Sequence, residues 1–335
     1  GIWRPLRQDM PERRRRHVAS RGNGIKIALV LLGRSKGDSC DRLTLDRYIG
    51  LLSDTFGKET DMKFTKMHGI GNDYIYVNGF EEPIEDPGPL SVKLSDRHFG
   101  IGSDGLILIL PSDKADFRMR MFNADGSEGI MCGNGIRCVG KYVYDKGLTG
   151  KTELEIETLA GIRKLTLYPD ENNRIEKARV WMGMPRFSDT DEIPDLPARE
   201  YPVEVTALDR QFRLYCVSMG NPHAIAEIRD VDHFPVDRYG PEIQKLSIFP
   251  ESVNVEFVEV RSPDFLDMRV YERGSGETMA CGTGACASAV AMMRLGKLRR
   301  KASVKLLGGN LQIEWNDDGV YMTGPATHVF DGELE

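Results

Sequence analysis

No apolar run in these 335 residues approaches the roughly 18 that spanning a bilayer as a helix requires; the nearest is Ile27 to Leu32. The six cysteines, Cys40, Cys132, Cys138, Cys216, Cys281 and Cys286, include no C-x-x-C pair, and none stands at zinc-ligand spacing with a histidine. No secretory signal is read ahead of them, so a disulfide framework is not expected. A soluble chain with free thiols in a reducing cytoplasm is the expectation, with no membrane partner and no metal.

What is present is ordinary globular material, with 40% hydrophobic and 29% charged residues, enough for a sizeable core and two domains. Charge divides it unevenly. Residues 1–61 hold 13 Lys+Arg against 8 Asp+Glu, while the remainder holds 32 against 43. The first segment carries the run Arg13 to Arg16 and no convincing hydrophobic period, and Met62 then opens "MKFTKMHGIGNDYIYVN", an alternating strand pattern that looks like a natural beginning. Residues 1–61 are therefore expected to be a disordered extension or a misassigned start. Eight acidic residues argue against a transit peptide. A four-arginine run is usually a solvated charge cluster, and the acidic remainder offers nucleic acid no footprint.

The chain repeats itself. "FNADGSEGIMCGNG" (122–135) set above "YERGSGETMACGTG" (271–284) matches Cys132 with Cys281, Gly133 with Gly282, Gly135 with Gly284 and Glu128 with Glu277, all at an offset of 149 residues. The same offset pairs Gly71-Asn72 with Gly220-Asn221 and Gly147 with Gly296. Two copies of one unit are expected, at 62–195 and 196–335, joined around "DTDEIPDLPARE".

Within each copy, strand-like runs precede the cysteine and a helix follows it. "GLILIL", "FRMRMF" and "LEIETL" read as strands in the first, and "RLYCVSM", "VNVEFVEV", "FLDMRVY" and "SVKLLG" in the second. Residues 134–146 and 283–295 read as helices that stop near Gly147 and Gly296. The second is rich in Ala and Met on all sides, which suits a helix buried inside its own sheet.

Each cysteine thus stands where strand gives way to helix. Unpaired N–H groups and the partial positive charge there favour a thiolate or a bound carboxylate. The flanking glycines let backbone N–H groups approach a ligand closely. Alone, Cys132 is open to four readings: buried hydrophobe, metal ligand, half of a disulfide, or catalyst. Its counterpart favours an acid/base pair, because inverting an amino-acid α-carbon needs one group to take a proton from one face and another to deliver one to the opposite face.

Five stretches, "GIGNDYIYVN", "NADGSEGIMCGNG", "MGNPHA", "SVNVEFVEV" and "YERGSGETMACGTGACASA", together closely resemble the diaminopimelate epimerase family from about Met62 onward. The resemblance implies an α/β (α+β) fold of two pseudo-symmetric domains, each a mainly antiparallel sheet wrapped around a central helix, with the site in the cleft between them. It implies cofactor-free interconversion of LL- and meso-diaminopimelate in lysine and peptidoglycan biosynthesis, by a homodimer. Cys132 would be the proton donor and Cys281 the acceptor. Backbone N–H groups around Gly133-Asn134 and Gly282-Thr283 would hold the reacting carboxylate. Asn123, Asn221, Asn254 and Arg273 would read the distal carboxylate and Glu272 the distal ammonium, with Asn72 touching substrate and His223 supporting the thiols.

The chain departs from the family at one place: some members carry a substrate-contacting Gln where "GIGSDGL" has Gly105. The same loop matches G-x-G-x-x-G, but it leads into a strand and not a helix, the reverse of a dinucleotide-binding turn. Two alternatives compete. Proline racemases and hydroxyproline epimerases share the two cysteines, but usually carry His where this chain has Asn134. A thiol redox or metal-binding protein would use paired cysteines without inverting carbon. Cys138, Cys216 and Cys286 are expected in the core, and His68 and His98 in structural roles.

Overall fold

The computed structural model describes residues 62–193, 195–197 and 200–334. The expectations for residues 1–61, including Cys40, and for part of the 189–200 connection lie outside them. Within the described residues, nineteen strands and four α-helices form a mixed, sheet-rich fold, and no helix is long and apolar enough to cross a membrane.

The first half begins with β1 (Met62–Gly69) and β2 (Asn72–Asn78), a hairpin whose two-residue turn, Ile70-Gly71, holds φ at 48° and 87°. Positive φ at both central residues matches the right-handed twist of the flanking strands, although it is a costly conformation for Ile. Helix α1 (Pro87–Ser95) leads into β3 (Gly105–Leu110), β4 (Phe117–Asn123) and the short β5 (Glu128–Gly129). Helix α2 (Gly133–Asp145) follows, then β6 (Glu153–Thr158), β7 (Gly161–Pro169) and β8 (Ile175–Gly183). The "GIGSDG" stretch does enter a strand, β3, as its order in the sequence requires.

The second half retraces this path. After β9 (Arg186–Phe187) and β10 (Val203–Ala207) come β11 (Arg210–Ser218), β12 (Pro222–Glu227), α3 (Val236–Gln244), β13 (Asn254–Ser262), β14 (Phe265–Glu272) and β15 (Gly276–Glu277). Helix α4 (Gly282–Arg294) leads to β16 (Lys301–Leu306), β17 (Gly309–Asn316), β18 (Gly319–Pro325) and β19 (Thr327–Leu334).

Pairing shows that the repetition is architectural. The parallel contacts β2–β3 and β4–β6 recur as β12–β13 and β14–β16, and every other pairing is antiparallel. Strand β8 pairs with β18, so one sheet runs through both lobes, and β19 returns to pair with β1.

Helices α2 and α4 begin and end one residue earlier than their sequence pattern suggests, with Lys146 and Leu295 as their C-caps. Gly147 and Gly296 follow at φ 77° and 71°. In each case the glycine N–H and the next residue's N–H bond back to carbonyls of the last turn, a left-handed stop that glycine allows at low cost. Helix α2, "GNGIRCVGKYVYD", is a poor helix former by composition, and packing supports it. A Cβ at Gly140, for instance, would lie 2.7 Å from the Leu167 side chain on β7. One apolar cluster runs from Ile136 and Val139 of α2 through Met322 to Ala285 and Val290 of α4, so the two lobes share a core. Cys138, Cys216 and Cys286 lie buried in the core.

Candidate active site

The duplicated topology delivers the same parts to one cleft twice. In the first lobe, β2 starts and β4 ends at the cleft, presenting Asn72 and Asn123; Gly105, the first residue of β3, pairs with Asn123 across β3–β4. In the second, β12 and β13 start and β14 ends there, presenting Pro222-His223, Asn254 and Glu272; His223 and Asn254 are register partners. Above each set stands a helix N-terminus with a cysteine as its N-cap, Cys132 on α2 and Cys281 on α4.

A cavity of about 920 Å³ joins them, lined by Asn72, Asn123, Cys132, Gly133, Asn134, Asn221, Asn254, Glu272, Arg273, Cys281, Gly282 and Thr283. Of the residues expected to act on or support the substrate site, only His223 is absent from this wall. It lies behind it, fully buried, with Nδ1 2.6 Å from Glu256 Oε1 and Nε2 3.1 Å from Asn221 Oδ1.

Both thiols are free. Cys132 is half-buried; its thiol donates to Asn72 Oδ1 at 3.2 Å, and its sulfur accepts from Gly135 N–H at 3.3 Å. Asn72 is held by its other end, the amide donating to Asp104 Oδ2 at 2.7 Å, while Arg97 bridges Asp104 (2.9 Å) and Asp73 (2.8 Å). Cys281 is buried, with its sulfur 3.6 Å from the Thr283 hydroxyl, which in turn accepts from the Asn221 amide at 3.3 Å.

The helix mouths alone would lower both thiol pKa values, but burial outweighs them. Burial pushes the Cys132 thiol up, with the N–H groups of Gly135 and Asn134 and the charge of Arg137 pulling it back. Cys281 is pushed well above the ordinary cysteine value, first by burial and then by the carboxyls of Glu272 and Glu256. In the ligand-free protein burial thus favours the protonated thiol at both positions, against the pull of the helix mouths. Burial also raises the Glu272 carboxyl, against the bond it accepts from the Thr278 hydroxyl.

The glycines beside the cysteines have a further reason to be there. A Cβ at Gly133 would meet Met322 Cε at 2.7 Å, one at Gly135 would meet Ile107 at 2.7 Å, and one at Gly284 would meet Glu256 Oε1 at 2.6 Å. These turns are packed tightly from behind as well as open to a ligand in front. At Gly105 a Cβ would fall 2.0 Å from the Phe122 carbonyl oxygen, so this backbone leaves no room for the Gln that some relatives carry there.

The expected readers of a distal carboxylate differ in how free they are. Asn254 uses both ends of its amide inside the protein, donating to the Pro222 carbonyl (3.2 Å) and accepting from Arg273 N–H (2.9 Å). Asn123 donates to the Ser127 hydroxyl (2.9 Å), and the exposed Arg273 guanidinium reaches the Glu251 carbonyl (3.1 Å). The matched pair Glu128 and Glu277 lies outside the thiol contacts. Each closes a bidentate ion pair, with Arg120 and Arg269 respectively, pinning the loop that precedes its cysteine. Asp104, Glu256 and Arg137 escaped sequence reasoning, since nothing local marks them. The Arg120/Arg269 pair could have been found at the repeat's offset.

The family model for diaminopimelate epimerase matches residues 64–188 and 215–329. The diaminopimelate epimerase of Acetivibrio thermocellus is 55% identical over 280 residues, covering 82% of this chain and 99% of that protein. That of Methanococcus maripaludis is 57% identical over 279 residues, covering 82% and 100%. Among solved structures, a phenazine biosynthesis protein of the PhzF family from Bacillus anthracis superposes with a TM-score of 0.63 at 19% identity, over 82% of this chain and 99% of that one. A hydroxyproline epimerase from Agrobacterium vitis gives 0.61 at 14%, over 83% and 93%. These two likenesses show a common fold.

Proposed function

The chain belongs to the diaminopimelate epimerase family of isomerases, and from that premise we propose that it inverts one α-carbon of LL-2,6-diaminopimelate to give the meso isomer, without a cofactor, by proton transfer between Cys132 and Cys281. The observation that carries this reading is the pairing of two N-cap cysteines on one cleft, each beneath its own helix mouth. With the two lobes, 62–195 and 196–335, closed on the substrate, Cys281, whose proton is released to solvent as the substrate binds, takes the α-proton from one face as a thiolate. The C–H electrons pass onto the α-carboxylate, and the Cys132 S–H bond breaks to deliver its proton to the opposite face. In the reverse direction the roles exchange.

The N–H groups of Gly133-Asn134 and Gly282-Thr283 hold the α-carboxylate and stabilise the charge that spreads onto it. Asn123, Asn221, Asn254 and Arg273 read the distal carboxylate, Asn254 by orienting the Arg273 backbone, and Glu272 faces the distal ammonium. Asn72 holds the Cys132 thiol proton, and His223, locked by Glu256, orients Asn221. The working form is a homodimer in the cytoplasm, and the product serves lysine and peptidoglycan synthesis.

The hydroxyproline-type alternative is less well supported. Asn134 stands where those enzymes usually carry His, and a cyclic substrate gives Glu272 and Arg273 nothing distal to bind. The test follows the α-proton: LL-diaminopimelate incubated in deuterated water should give meso product carrying deuterium at one α-carbon. Unlabelled product, or no product, overturns the proposal.

A further inference from the structure

Helix α2 carries a charge that neither the family resemblance nor the repeat accounts for. Arg137 is fully buried, and its side chain folds back toward the helix N-terminus, the direction a helical side chain favours. Nη1 donates to the Gly133 carbonyl at 3.0 Å, Nη2 to Asn134 Oδ1 at 3.0 Å and Nε to the Pro325 carbonyl at 3.2 Å. All these acceptors are neutral, and among the described residues no carboxylate lies within ion-pairing distance of the guanidinium. Two glycines make space for it: a Cβ at Gly69 would stand 2.9 Å from Nη2, and one at Gly324 3.2 Å from Nε. Burying a full charge among neutral groups is costly, and an apolar residue of similar volume would pack the same space without that cost. The repeat underlines the point, because the position matching Arg137 in the second copy is Cys286.

The guanidinium backs both helix mouths. Through Asn134, whose amide donates to the Ala280 carbonyl at 3.1 Å, it is linked to the residue just before Cys281. Nη1 also lies 3.8 Å from Met322 Sδ, and Met322 packs against Gly133 and Gly282 alike, where added Cβ atoms would meet its Cε at 2.7 and 3.2 Å. A single cation thus sits in the core behind the two turns that line the cleft.

We infer that Arg137 is the resident countercharge of this site: a positioning residue that fixes both cysteine turns and stabilises, from behind, the negative charge accumulating between them. The anion is the α-carboxylate of the substrate as it takes up the C–H electrons, so this part rests on the function proposed above. Arg137 touches neither substrate nor thiol and transfers no proton. The charged and titratable groups whose fields reach Cys132 are Arg137 from α2, Glu272 from β14, Tyr74 and Tyr76 from β2 and, by way of the Asn72 amide that the thiol touches, Asp104. Arg137 is the positive member of that set, so its charge lowers the pH at which Cys132 ionises.

The test compares full-length wild type, Arg137→Met and Arg137→Lys. Alkylation of Cys132 by iodoacetamide, followed by peptide mass against pH, needs no substrate. Its midpoint should rise by about one pH unit or more in Arg137→Met and stay near wild type in Arg137→Lys. Turnover of LL-diaminopimelate by Arg137→Met should fall roughly 100-fold in kcat with KM changed far less, because the charge acts on the transition state. Should Arg137→Met fail to fold, Arg137→Gln, which keeps an amide donor toward Asn134, carries the same expected shift. An unmoved alkylation midpoint in the neutral variant, or an equal shift in Arg137→Lys, overturns the inference. A shifted midpoint in a protein that epimerises no diaminopimelate overturns the proposed substrate and leaves the countercharge standing.

Discussion

The two cysteines share a helix mouth, a pair of nearby glycines and a left-handed glycine stop fifteen residues on, yet their surroundings have opposite character. Cys132 is half-buried and faces an amide oxygen, with a buried cation behind it. Cys281 is buried against a hydroxyl, with the carboxyls of Glu272 and Glu256 close enough to push its thiol up. The duplicated backbone supplies geometry, and unmatched side chains supply chemistry. A symmetric pair of thiols would hold protons equally well; with acids crowding Cys281, the half-buried Cys132 is expected to ionise first as pH rises.

That contrast can be broken most severely at the sulfurs. Cys132→Ser and Cys281→Ser should each reduce epimerisation by about 10²- to 10⁴-fold in a steady-state assay, because a hydroxyl replaces a group whose proton must move. Retention of activity in either variant removes the two-thiol reading. In wild type, iodoacetamide should modify Cys132 at lower pH than Cys281. The sign follows from both thiols being raised, Cys281 further: thiolate appears only as pH rises, and later where acids crowd the sulfur. Peptide mass mapping across pH 7 to 10 checks the order.

Next comes the buried pair behind Cys281. Glu256→Gln should cost about 3 kcal/mol in denaturant unfolding, since it breaks a fully buried 2.6 Å contact with His223. It should also bring Cys281 alkylation to lower pH by removing a nearby negative charge. Asp104→Asn acts on the other side and more mildly. Freed to turn, the Asn72 amide no longer holds its oxygen toward Cys132, and kcat/KM should fall roughly tenfold, the worth of one hydrogen bond of about 1.4 kcal/mol. The smallest effects test what the lobes share. Gly147→Ala and Gly296→Ala should each cost about 1 kcal/mol with activity unchanged, because both have positive φ and open space around the added methyl. Unequal losses would mean that the helix stops are not equivalent.

Much of this was legible in the sequence, and the reason is the repeat. An offset carried by cysteines and glycines survives because those residues answer to backbone geometry, and the helices fall within one residue of where Gly147 and Gly296 place their ends. Strands bearing consecutive apolar residues, such as "GLILIL", were recognisable for the same reason. The partners that tune the thiols were not legible. Asp104 reaches Asn72 from 32 residues away and Glu256 reaches His223 from 33, contacts made by strand register and invisible to spacing. Arg137 stands two residues beyond the recognised motif, and a sequence does not say that a guanidinium is buried without a carboxylate. The flanking glycines were read as an opening toward a ligand, and the side chains packed behind them appear only in three dimensions.

Strand β19 closes the edge of the first lobe by pairing with β1 across the whole length of the described chain. Among the described residues it follows every other strand, so during synthesis the N-terminal lobe waits with an unpaired edge until β19 has been made. The first lobe is thus completed by the last of the described strands. Completing this lobe therefore depends on a contact of large sequence separation, and until β19 docks, β1 keeps one strand edge unpaired.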